Sequence, residues 1–568
     1  MNSLVLSEIN YKDFQKQENL FVIEQYYHDY LKQNDIKNEI HTLSPSFSKK
    51  SERILAMSEC ESIYQPLLKD LSESLNNLHQ VNFSNLEWEI VFGNWLRYFI
   101  WICYERYHHL IYIIESKKIN KIYCSKNNNF AFALNNTESI AFASINDDWN
   151  SNLYFKILEY RNLDCEKIIF DSKNQISEDG YSKSIKNKNF FVRFFQKFLS
   201  ILSILKSNND GVIVNSYLPL VYEKIFEIFL FQAPASWKFK KINYDMLDHN
   251  LRKKIILPLK KTKNLNNFIR ENIKNFLPKS TVETFPKIIE NAKNSNLPSN
   301  PKFIFTSNDF ENNEIFKVYA AIKKSENKTT YIIGQHGNTY FTDLISKYRS
   351  ELSFSDKFLS WGYEKKEKIH SAFNFLSLGK KKYKKQINNR LMLIISPLEF
   401  RMFPFNTIHQ TEKGFSDSLD ILNNLKNEIS KNAIIRLHPS YHSKRGQYYV
   451  KKYFTKKNFS IDYGYKSFVD ARANSKISFF NYDSTGILEN LALNYPTICM
   501  WDNFKNNLSD EFLSKYELLI KANILFLNKK DLVNHLNNIW QNIDKWWLSE
   551  NTQKLIQEFN KDFNNRGN

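Results

Sequence analysis

The sequence is poor in the residues that mark fibrous, disordered or disulfide-stabilised chains. It has only 12 glycines and 13 prolines in 568 residues, while hydrophobic residues make up 42%. This composition excludes collagen-like and low-complexity chains, because enough apolar surface is present to form a core. The chain is too long for a single core, so we expect two or three domains.

Cysteines are few and scattered, and none of the five belongs to a C-x-x-C pair. An odd, dispersed set in a large protein argues against a disulfide framework and a structural zinc site, and favours a reducing compartment. The first residues, MNSLVLSEINYKDF, lack the basic and apolar regions of a signal peptide. We therefore expect a cytoplasmic protein.

Long apolar runs without charge are also missing. The most apolar stretch, 90–114, contains Arg97, Glu105 and Arg106, which are too many charges for a spanning helix. We expect a buried helix in which these side chains form ion pairs. Apolar positions recur at helical spacing through the wider segment 58–114, which predicts two or more packed helices.

Acidic residues are outnumbered by basic ones, 60 against 79, which gives a net charge of +19. This excess indicates a nucleic acid, an anionic membrane or a phosphorylated substrate as partner. The sequence has no zinc-finger spacing, RNA-recognition signature or long basic helix, so we expect no nucleic-acid partner.

Short apolar runs bounded by turn residues alternate with helix-length segments, which predicts an α/β protein with parallel sheets. The runs are 121–124, 211–214, 302–305, 330–333, 357–360, 391–395, 433–437, 476–480 and 497–500. A Lys-rich stretch at 379–390 separates two of these patterns and predicts an inter-domain linker.

The domains follow from this linker. We predict an N-terminal Rossmann-like, acceptor-side domain at 1–378 that includes the helical segment 58–114. A C-terminal Rossmann-like, nucleotide-binding domain follows at 391–545, and 546–568 is predicted to be a C-terminal helix.

A histidine flanked by glycines follows the strand predicted at 330–333, in the segment GQHGN at 334–338. Ligands gather at the carboxyl ends of strands in open parallel sheets. The glycines allow close approach to the backbone, and a neutral imidazole accepts a proton near pH 7. His336 is therefore a candidate catalytic residue, although a loop histidine satisfied by its neighbours fits equally well.

Two further motifs lie at strand ends. In AIIRLHP, alternation places Arg436 and His438 on one side, where they would hold a phosphate or form a solvated pair. Between KISFF and the apolar helix GILENLAL, Asp483, Ser484 and Thr485 stand at a helix N-terminus that favours an anion. Capping alone would also explain Asp483 and Ser484.

Together these motifs resemble a known group of enzymes. WEIVFGNWLRYFIWICYERY (88–107), GQHGNTYFTDLISKYRSELSFSDKFLSWGY (334–363), RLHP and YDSTGILENLALNYPT look like segments of transferases from bacterial O-antigen and capsule gene clusters. These transferases are related to capsular 3-deoxy-manno-octulosonic acid (Kdo) transferases and remotely to teichoic-acid glycerophosphotransferases. The resemblance covers most of the chain and implies a GT-B-like fold of two facing Rossmann-type domains, with a helical N-terminal insertion and C-terminal helices.

The resemblance implies a glycosyltransferase that moves a sugar from a nucleotide-activated donor, such as a CMP-linked ulosonic acid, to a glycan or lipid-linked glycan acceptor. It implies no cofactor beyond the nucleotide sugar. His336, Glu351 and His438 are the implied catalytic residues, with His336 or Glu351 taking the proton of the acceptor hydroxyl.

The residues implied to bind the donor are Arg436, Asp483, Ser484, Thr485 and Glu489, the last through a ribose diol. The chain departs from the family pattern at Asn338, Asn490 and Asn494, where Gly, Ala and Gly are usual. The last two departures weaken the assignment of Glu489.

No D-x-D motif lies at a predicted strand end, and we interpret Asp147 and Asp148 as surface residues in a loop-like stretch. We therefore expect no metal. Two alternatives remain open. One is transfer of a phospho-alditol from a CDP-linked donor, and the other is a non-catalytic protein that binds a glycan or a nucleotide.

The segment 183–206 is rich in Phe, Leu and Ile, with several lysines and no acid after residue 183. This pattern fits a buried helix, and it also fits an amphipathic surface. Because surface-glycan acceptors are usually lipid-linked, we predict salt-sensitive peripheral association of this segment with the anionic inner membrane.

Overall fold

The computed structural model describes most of the chain, with gaps. The described residues are 1–7, 14, 18–44, 46–127, 130–163, 165–171, 199, 201–202, 205–327, 329–338, 340–383, 389–398, 408–455, 459–465 and 467–566. Most of the membrane segment predicted at 183–206, including Lys183, Lys186 and Lys188, lies outside these residues. Among the residues described, no helix combines the length and the apolar character needed to cross a bilayer.

The strands of the described residues form three sheets. They are β1 (Asn2–Val5), β2 (Asn19–Val22), β3 (Ile40–Thr42), β4 (Lys121–Lys126), β5 (Glu166–Asp171), β6 (Val212–Val214), β7 (Phe303–Thr306), β8 (Thr330–Gly334), β9 (Lys357–Ser360), β10 (Ile369–Ser371), β11 (Leu391–Ile394), β12 (Ile434–Arg436), β13 (Ser460–Asp462), β14 (Ile477–Phe480), β15 (Thr497–Met500) and β16 (Leu525–Phe526).

The helices are numbered along the chain in the same way. They are α1 (Gln25–Gln33), α2 (Lys50–His79), α3 (Asn85–Ser116), α4 (Ile140–Ile145), α5 (Asp147–Arg161), α6 (Leu220–Phe229), α7 (His249–Lys253), α8 (Leu265–Asn272), α9 (Phe285–Lys293), α10 (Asp309–Asn312), α11 (Glu314–Asn327), α12 (Ser350–Phe354), α13 (Ile408–Asn424), α14 (Asn427–Ser430), α15 (Lys444–Tyr453), α16 (Phe468–Ala473), α17 (Thr485–Ala492), α18 (Phe504–Asn507), α19 (Leu513–Lys521), α20 (Lys529–Ile539), α21 (Ile543–Trp547) and α22 (Glu550–Phe563).

All strand pairs within the three sheets are parallel, which confirms the predicted α/β class. The first sheet has the order β3-β2-β1-β4-β5 and the third β13-β12-β11-β14-β15-β16, whereas the second follows the chain as β10-β9-β8-β7-β6. In the first and third sheets the strand order reverses next to the strand that comes first in the chain, β1 and β11 respectively, as in doubly wound sheets. Each of the nine predicted runs forms a strand, but most of the first sheet was not predicted.

The long helices α2 and α3 pack between the first two sheets, and the buried residues of both sheets form one continuous core with them. The ion pairs predicted for the charged residues of α3 are confirmed. Arg106 Nη1 lies 2.6 Å from Glu105 Oε2, and Arg97 pairs with Glu61 of α2. Arg97 Nε also donates to Ser350 Oγ at 2.9 Å. In this way α3 fixes the position of α12, which carries Glu351.

A second core contains the third sheet, the C-terminal helices and the other face of the second sheet. The last helix, α22, returns to the loop after β9, where Asn565 N donates to Trp361 O at 2.5 Å. Gly362 in this loop has a φ of 153°, and a Cβ at this position would lie 2.6 Å from Lys561 O. The return of the chain therefore requires glycine here.

Candidate active site

The loops that follow β8 and β14 meet at the junction of the second and third sheets, and this junction is called the cleft. Asn338 N donates to Thr485 Oγ1 at 3.0 Å, and Asn338 Nδ2 donates to Asp483 Oδ1 at 2.5 Å. A Cβ on Gly337 would lie 3.2 Å from Thr485 Oγ1, so the backbones approach closely. The structure therefore brings the His336 loop and the Asp483–Thr485 motif together.

Asp483 lies at the centre of this contact. Its other carboxylate oxygen accepts from Tyr516 Oη at 2.9 Å. Burial raises the pKa of Asp483 to about 6, although the hydrogen bonds from Tyr516 and Asn338 act in the opposite direction. The carboxylate is thus charged at neutral pH but close to titration, and it depends on its two donors.

His336 is held by its surroundings as a neutral imidazole. Its Nδ1 lies 2.8 Å from Tyr340 Oη. Burial and the positive charge of Arg349 lower the pKa of His336 to about 3, against which a hydrogen bond with the backbone of Ser307 acts. With so low a pKa, His336 is a weak base at neutral pH, although its neutral imidazole can still donate or accept a hydrogen bond.

Glu351 lies in the same cluster. Its carboxylate is buried and stands 3.7 Å from the guanidinium of Arg349. Burial, the charge of Glu351 and a hydrogen bond with it raise the pKa of Tyr340. The hydroxyl of Tyr340 therefore connects the two residues, His336 and Glu351, that the sequence placed on the acceptor side.

The cluster contains a further acid that the sequence analysis missed. Glu311 of α10 lies close enough to Glu351 and Arg349 to feel both charges. Burial, followed by the negative charge of Glu351, raises the pKa of Glu311 to about 7, against the effect of Arg349. A carboxylate that titrates near neutral pH in a cleft is well matched to general base catalysis.

A signal for Glu311 was present in the sequence. The segment SNDFENNE lies between the strand predicted at 302–305 and the following helix, and it is therefore a loop at the carboxyl end of a parallel strand. Like His336, its acidic residues directly follow a predicted parallel strand, which is where ligands gather. The nearby Tyr98 of α3 also responds to the charges of Glu311 and Glu351, which raise its pKa together with burial.

The RLHP residues lie elsewhere along the third sheet. Arg436 Nη1 donates to Asp462 Oδ2 at 2.5 Å across β12 and β13. Exposed His438 caps the turn after β12, where its Nδ1 accepts from Ser440 N at 3.2 Å. Because β11 lies between β12 and β14, this pair is two strand spacings, about 10 Å, from the Asp483 strand.

The helix start behaves as predicted from its sequence. Ser484 Oγ caps α17 by accepting from Gly486 N at 3.2 Å. Glu489, one turn further, lies 3.3 Å from Lys380 Nζ in the predicted linker. Its role in ribose binding stays a prediction, as do the roles of Ser484 and Thr485.

The third sheet has a cavity where its strand order reverses, between β11 and β14. Ser396 N donates to Asn481 Oδ1 at 3.0 Å across this point. The cavity has a volume of about 260 Å³ and is lined by residues that include Lys413, Asp417, Asn481, Tyr482 and Trp501. Ligands of doubly wound sheets bind at such reversal points.

Asp147 does not lie in a surface loop, so that interpretation was wrong. It begins α5, and its Oδ1 accepts from Tyr27 Oη at 2.6 Å and from Arg445 Nη2 at 2.9 Å. The side chain is bound by an arginine of α15, which packs on the third sheet, and sequence spacing does not reveal this contact. Across the described ranges, no group of three His, Cys, Asp or Glu side chains is arranged to hold a metal ion.

Comparisons with known proteins add the following. Residues 3–568 match the family described as LIC12162 family transferase. No curated protein matches the chain in sequence. A Listeria monocytogenes structure assigned as a UDP-N-acetylglucosamine 2-epimerase is similar at 13% identity over 63% of this chain and 92% of its own, with a TM-score of 0.33.

Two further solved structures are similar. The spinosyn rhamnosyltransferase SpnG, complexed with spinosyn aglycone, shares 9% identity over 50% of this chain and 74% of its own, with a TM-score of 0.27. WaaG, a glycosyltransferase involved in lipopolysaccharide biosynthesis, shares 10% identity over 62% of this chain and 94% of its own, with a TM-score of 0.27.

Proposed function

The chain belongs to the LIC12162 family of transferases, and from this premise we propose that it is a glycosyltransferase acting between a nucleotide-activated sugar and a surface-glycan acceptor. The observation that carries the proposal is the contact of Asn338 with Asp483 and Thr485. This contact joins a cluster suited to proton removal to a helix N-terminus suited to an anion, at one cleft.

The donor side of the proposed site is the third sheet with its helices, within the nucleotide-binding domain predicted at 391–545. The nucleotide base stacks on Tyr482 and Trp501 in the cavity between β11 and β14, because the flat face of an aromatic ring can stack on any base. The diphosphate or monophosphate extends towards the N-terminus of α17, which favours negative charge. Arg436 and His438 assist, and Arg436 then shares its guanidinium between Asp462 and the phosphate.

The acceptor side is the cluster around Glu311. In the proposed step an acceptor hydroxyl attacks the anomeric carbon of the donor, the bond from that carbon to the phosphate oxygen breaks, and the nucleotide leaves with the electron pair. The proton of the hydroxyl passes to the carboxylate of Glu311, with Glu351 holding Arg349 in place. His336, neutral in the free protein, orients the hydroxyl by hydrogen bonding.

The charge that develops on the leaving phosphate is met by protein groups. A positive helix end and the Arg436 guanidinium stabilise an anion in the way that a metal ion does in other transferases. We therefore propose metal-independent transfer. The acceptor is a glycan or a lipid-linked glycan of O-antigen or capsule type, and the enzyme works in the cytoplasm at the inner face of the membrane.

A donor screen tests this function. The protein is incubated with CMP-, UDP-, GDP- and CDP-linked sugars, and stabilisation against heat is measured, since a ligand that binds only the native state raises its stability. Release of the free nucleotide is then followed for each donor that binds. Stabilisation and release with a CMP-linked ulosonic acid or another nucleotide sugar is the expected result.

Two outcomes would overturn the proposal. Release of CMP from CDP-glycerol or CDP-ribitol, with no reaction of any nucleotide sugar, identifies an alditol phosphotransferase that uses the same histidines. Binding of a nucleotide without any turnover, unaffected by changing Glu311 to Gln, identifies a non-catalytic binding protein.

A further inference from the structure

Helix α6 buries charged side chains and exposes apolar ones. Its charged residues Lys224 and Glu227 are buried, and they pair at 2.7 Å. Glu227 Oε2 also accepts from Ala235 N at 2.9 Å, so the inward face is tied down by polar contacts. An ordinary surface helix has the opposite arrangement, with apolar residues inside and charges outside.

The outward face of α6 is apolar and exposed. Phe229 is 75% exposed, and Phe231, just past the helix end, is 98% exposed in a left-handed conformation with φ of 57°. The other exposed apolar side chains on the helix are Val221, Tyr222, Ile225, Phe226 and Ile228. A contiguous apolar surface of this size on one helix marks an interaction site.

The helix cannot bury this face by rotating, because the Lys224–Glu227 pair would then lose its internal partners. No extensive packing of α6 against another described helix or strand covers it either. The missing counterpart is therefore external to the described fold.

Positive charge adjoins the apolar face. Gly379 abuts Tyr222, because a Cβ there would lie 2.5 Å from the Tyr222 ring. Lys381 and Lys382 follow within two or three residues, about 7 to 11 Å of extended chain. Both are exposed and take part in no ion pair among the described residues. An apolar helix face with adjacent free lysines is complementary to an anionic bilayer, which offers hydrocarbon and negative headgroups together.

We propose that α6 is a membrane-docking helix that inserts its apolar face into the headgroup region of an anionic leaflet, with Lys381 and Lys382 contacting lipid phosphates. The site differs from the segment 183–206, which lies largely outside the described residues. The biological use of this docking rests on the proposed function, because the loop leading into α6 reaches the cleft where transfer is proposed. Tyr217 in that loop has its ring 6.1 Å from that of His336.

Docking through α6 therefore presents the cleft to acceptors that are anchored in lipid. The aromatic and branched side chains on its outer face enter the interface, while the polar inner face keeps the bonds among Lys224, Glu227 and Ala235. Because insertion depends on apolar area and on charge together, changes to either should weaken it separately.

Vesicle sedimentation tests the proposal with full-length protein. Vesicles of phosphatidylcholine with and without phosphatidylglycerol are compared, and binding should require the anionic lipid and weaken with salt. The variant I225S/F229S should bind at least about tenfold less tightly because two inserted side chains are lost. The variant K381E/K382E should lose about tenfold or more on anionic vesicles through charge reversal.

Matched controls use exposed residues on other helices. L55S/Y112S removes two exposed apolar side chains from α2 and α3, and K117E/K118E makes the same charge reversal after α3. Both should bind vesicles like the unchanged protein. Nucleotide release with a water-soluble acceptor is measured for all variants and should be unchanged, so that failure of docking and failure of the proposed transfer are told apart.

Three results would overturn the proposal: no binding to either vesicle, equal binding by I225S/F229S and the unchanged protein, or a loss of binding that the controls reproduce. A fourth is a fall in molecular mass from dimer to monomer when I225S/F229S is examined by sedimentation velocity without lipid. That result would show that a second copy of the chain covers the helix.

Discussion

The side-chain amide of Asn338 donates to the carboxylate of Asp483 at 2.5 Å, and this bond joins the loops of two separate sheets. A glycine at this position could not make the contact, because the donor is the side-chain amide. The two sides of the proposed reaction centre meet through it.

Changing Asn338 to Asp tests this contact. It replaces a donor by a second acid beside Asp483, whose pKa burial raises to about 6. The folded pair then binds a shared proton more tightly than the unfolded chain, so stability is lost as pH rises through that range. We expect a loss of about 1–3 kcal/mol in the free energy of unfolding at pH 8 and a smaller loss at pH 5.

The matched variant is Asn338→Ala, which removes the donor without adding charge. Its loss of stability should grow less between pH 5 and pH 8 than that of Asn338→Asp, because losing the donor raises the pKa of Asp483 but brings no second negative charge beside it. Thermal unfolding of both variants across this range is the measurement, and parallel curves for Asp and Ala would contradict the interpretation.

Glu311 should control the pH dependence of transfer. A general base must be deprotonated, so kcat/KM should rise with pH through about 7, the value to which burial and then Glu351 raise the pKa of Glu311. Glu311→Gln should lower kcat by at least about 100-fold and abolish this rise. Nucleotide release measured from pH 5 to pH 9 provides the profile.

Glu138→Gln is the control for Glu311, because burial also raises the pKa of Glu138 and its charge lies close enough to affect Glu311. The control should keep the rise in kcat/KM. If Glu311→Gln kept it as well, the base would be a different residue.

Trp501 should contribute to nucleotide affinity. Trp501→Ala removes one aromatic wall of the cavity between β11 and β14, and loss of a stacked base costs about 1–3 kcal/mol. The dissociation constant should therefore rise about tenfold or more by calorimetric titration. Tyr465→Ala, at a ring that is 81% exposed on the same domain, should leave affinity unchanged.

Arg445 should hold the core of the third sheet to that of the first sheet. It donates to Glu24 Oε2 at 2.5 Å and to Asp147 Oδ1 at 2.9 Å, and it is buried. Arg445→Met leaves two carboxylates without their cation, so we expect a loss of about 3–5 kcal/mol in the free energy of unfolding. The exposed Lys451→Met on the same helix should change it by less than about 0.5 kcal/mol. Equal losses for the two variants would contradict this assignment.

Transfer should survive chelation. Saturating EDTA should leave the rate of nucleotide release unchanged, since the helix N-terminus and Arg436 are proposed to stabilise the leaving phosphate. A loss of activity that Mg²⁺ or Mn²⁺ restores would show that a metal ion takes part.

The sequence predicted the parts of the fold that its local pattern encodes. Runs such as 391–395 and 497–500 are apolar on both faces and bounded by turns, as buried parallel strands are. Four strands of the first sheet, β1, β2, β3 and β5, were missed, although β6 and β12 are as short as β3 and were predicted. β3 (IHT) and β5 (EKIIFD) place polar residues beside apolar ones, so neither stands out as an apolar run.

The residues of the candidate site also fall into two groups, those that local sequence predicts and those whose role depends on the fold. His336 and Asp483 were predicted because each follows an apolar strand directly. The importance of Glu311 comes from its environment, since burial and the charges of Glu351 in α12 and Arg349 just before it set its pKa. Likewise, the pairing of Arg436 with Asp462 depends on strand register, and a residue's own neighbours in sequence do not specify register.

The return of α22 to Gly362 limits how the cleft can move. The chain passes between the second and third sheets twice, once between β10 and β11 and once through α22. Both crossings hold the third sheet beside the second, in addition to the bonds of Asn338 to Asp483 and Thr485. A relative movement of the two sheets would therefore have to bend the chain at both crossings, and it could part the loops of His336 and Asp483 only by breaking those bonds.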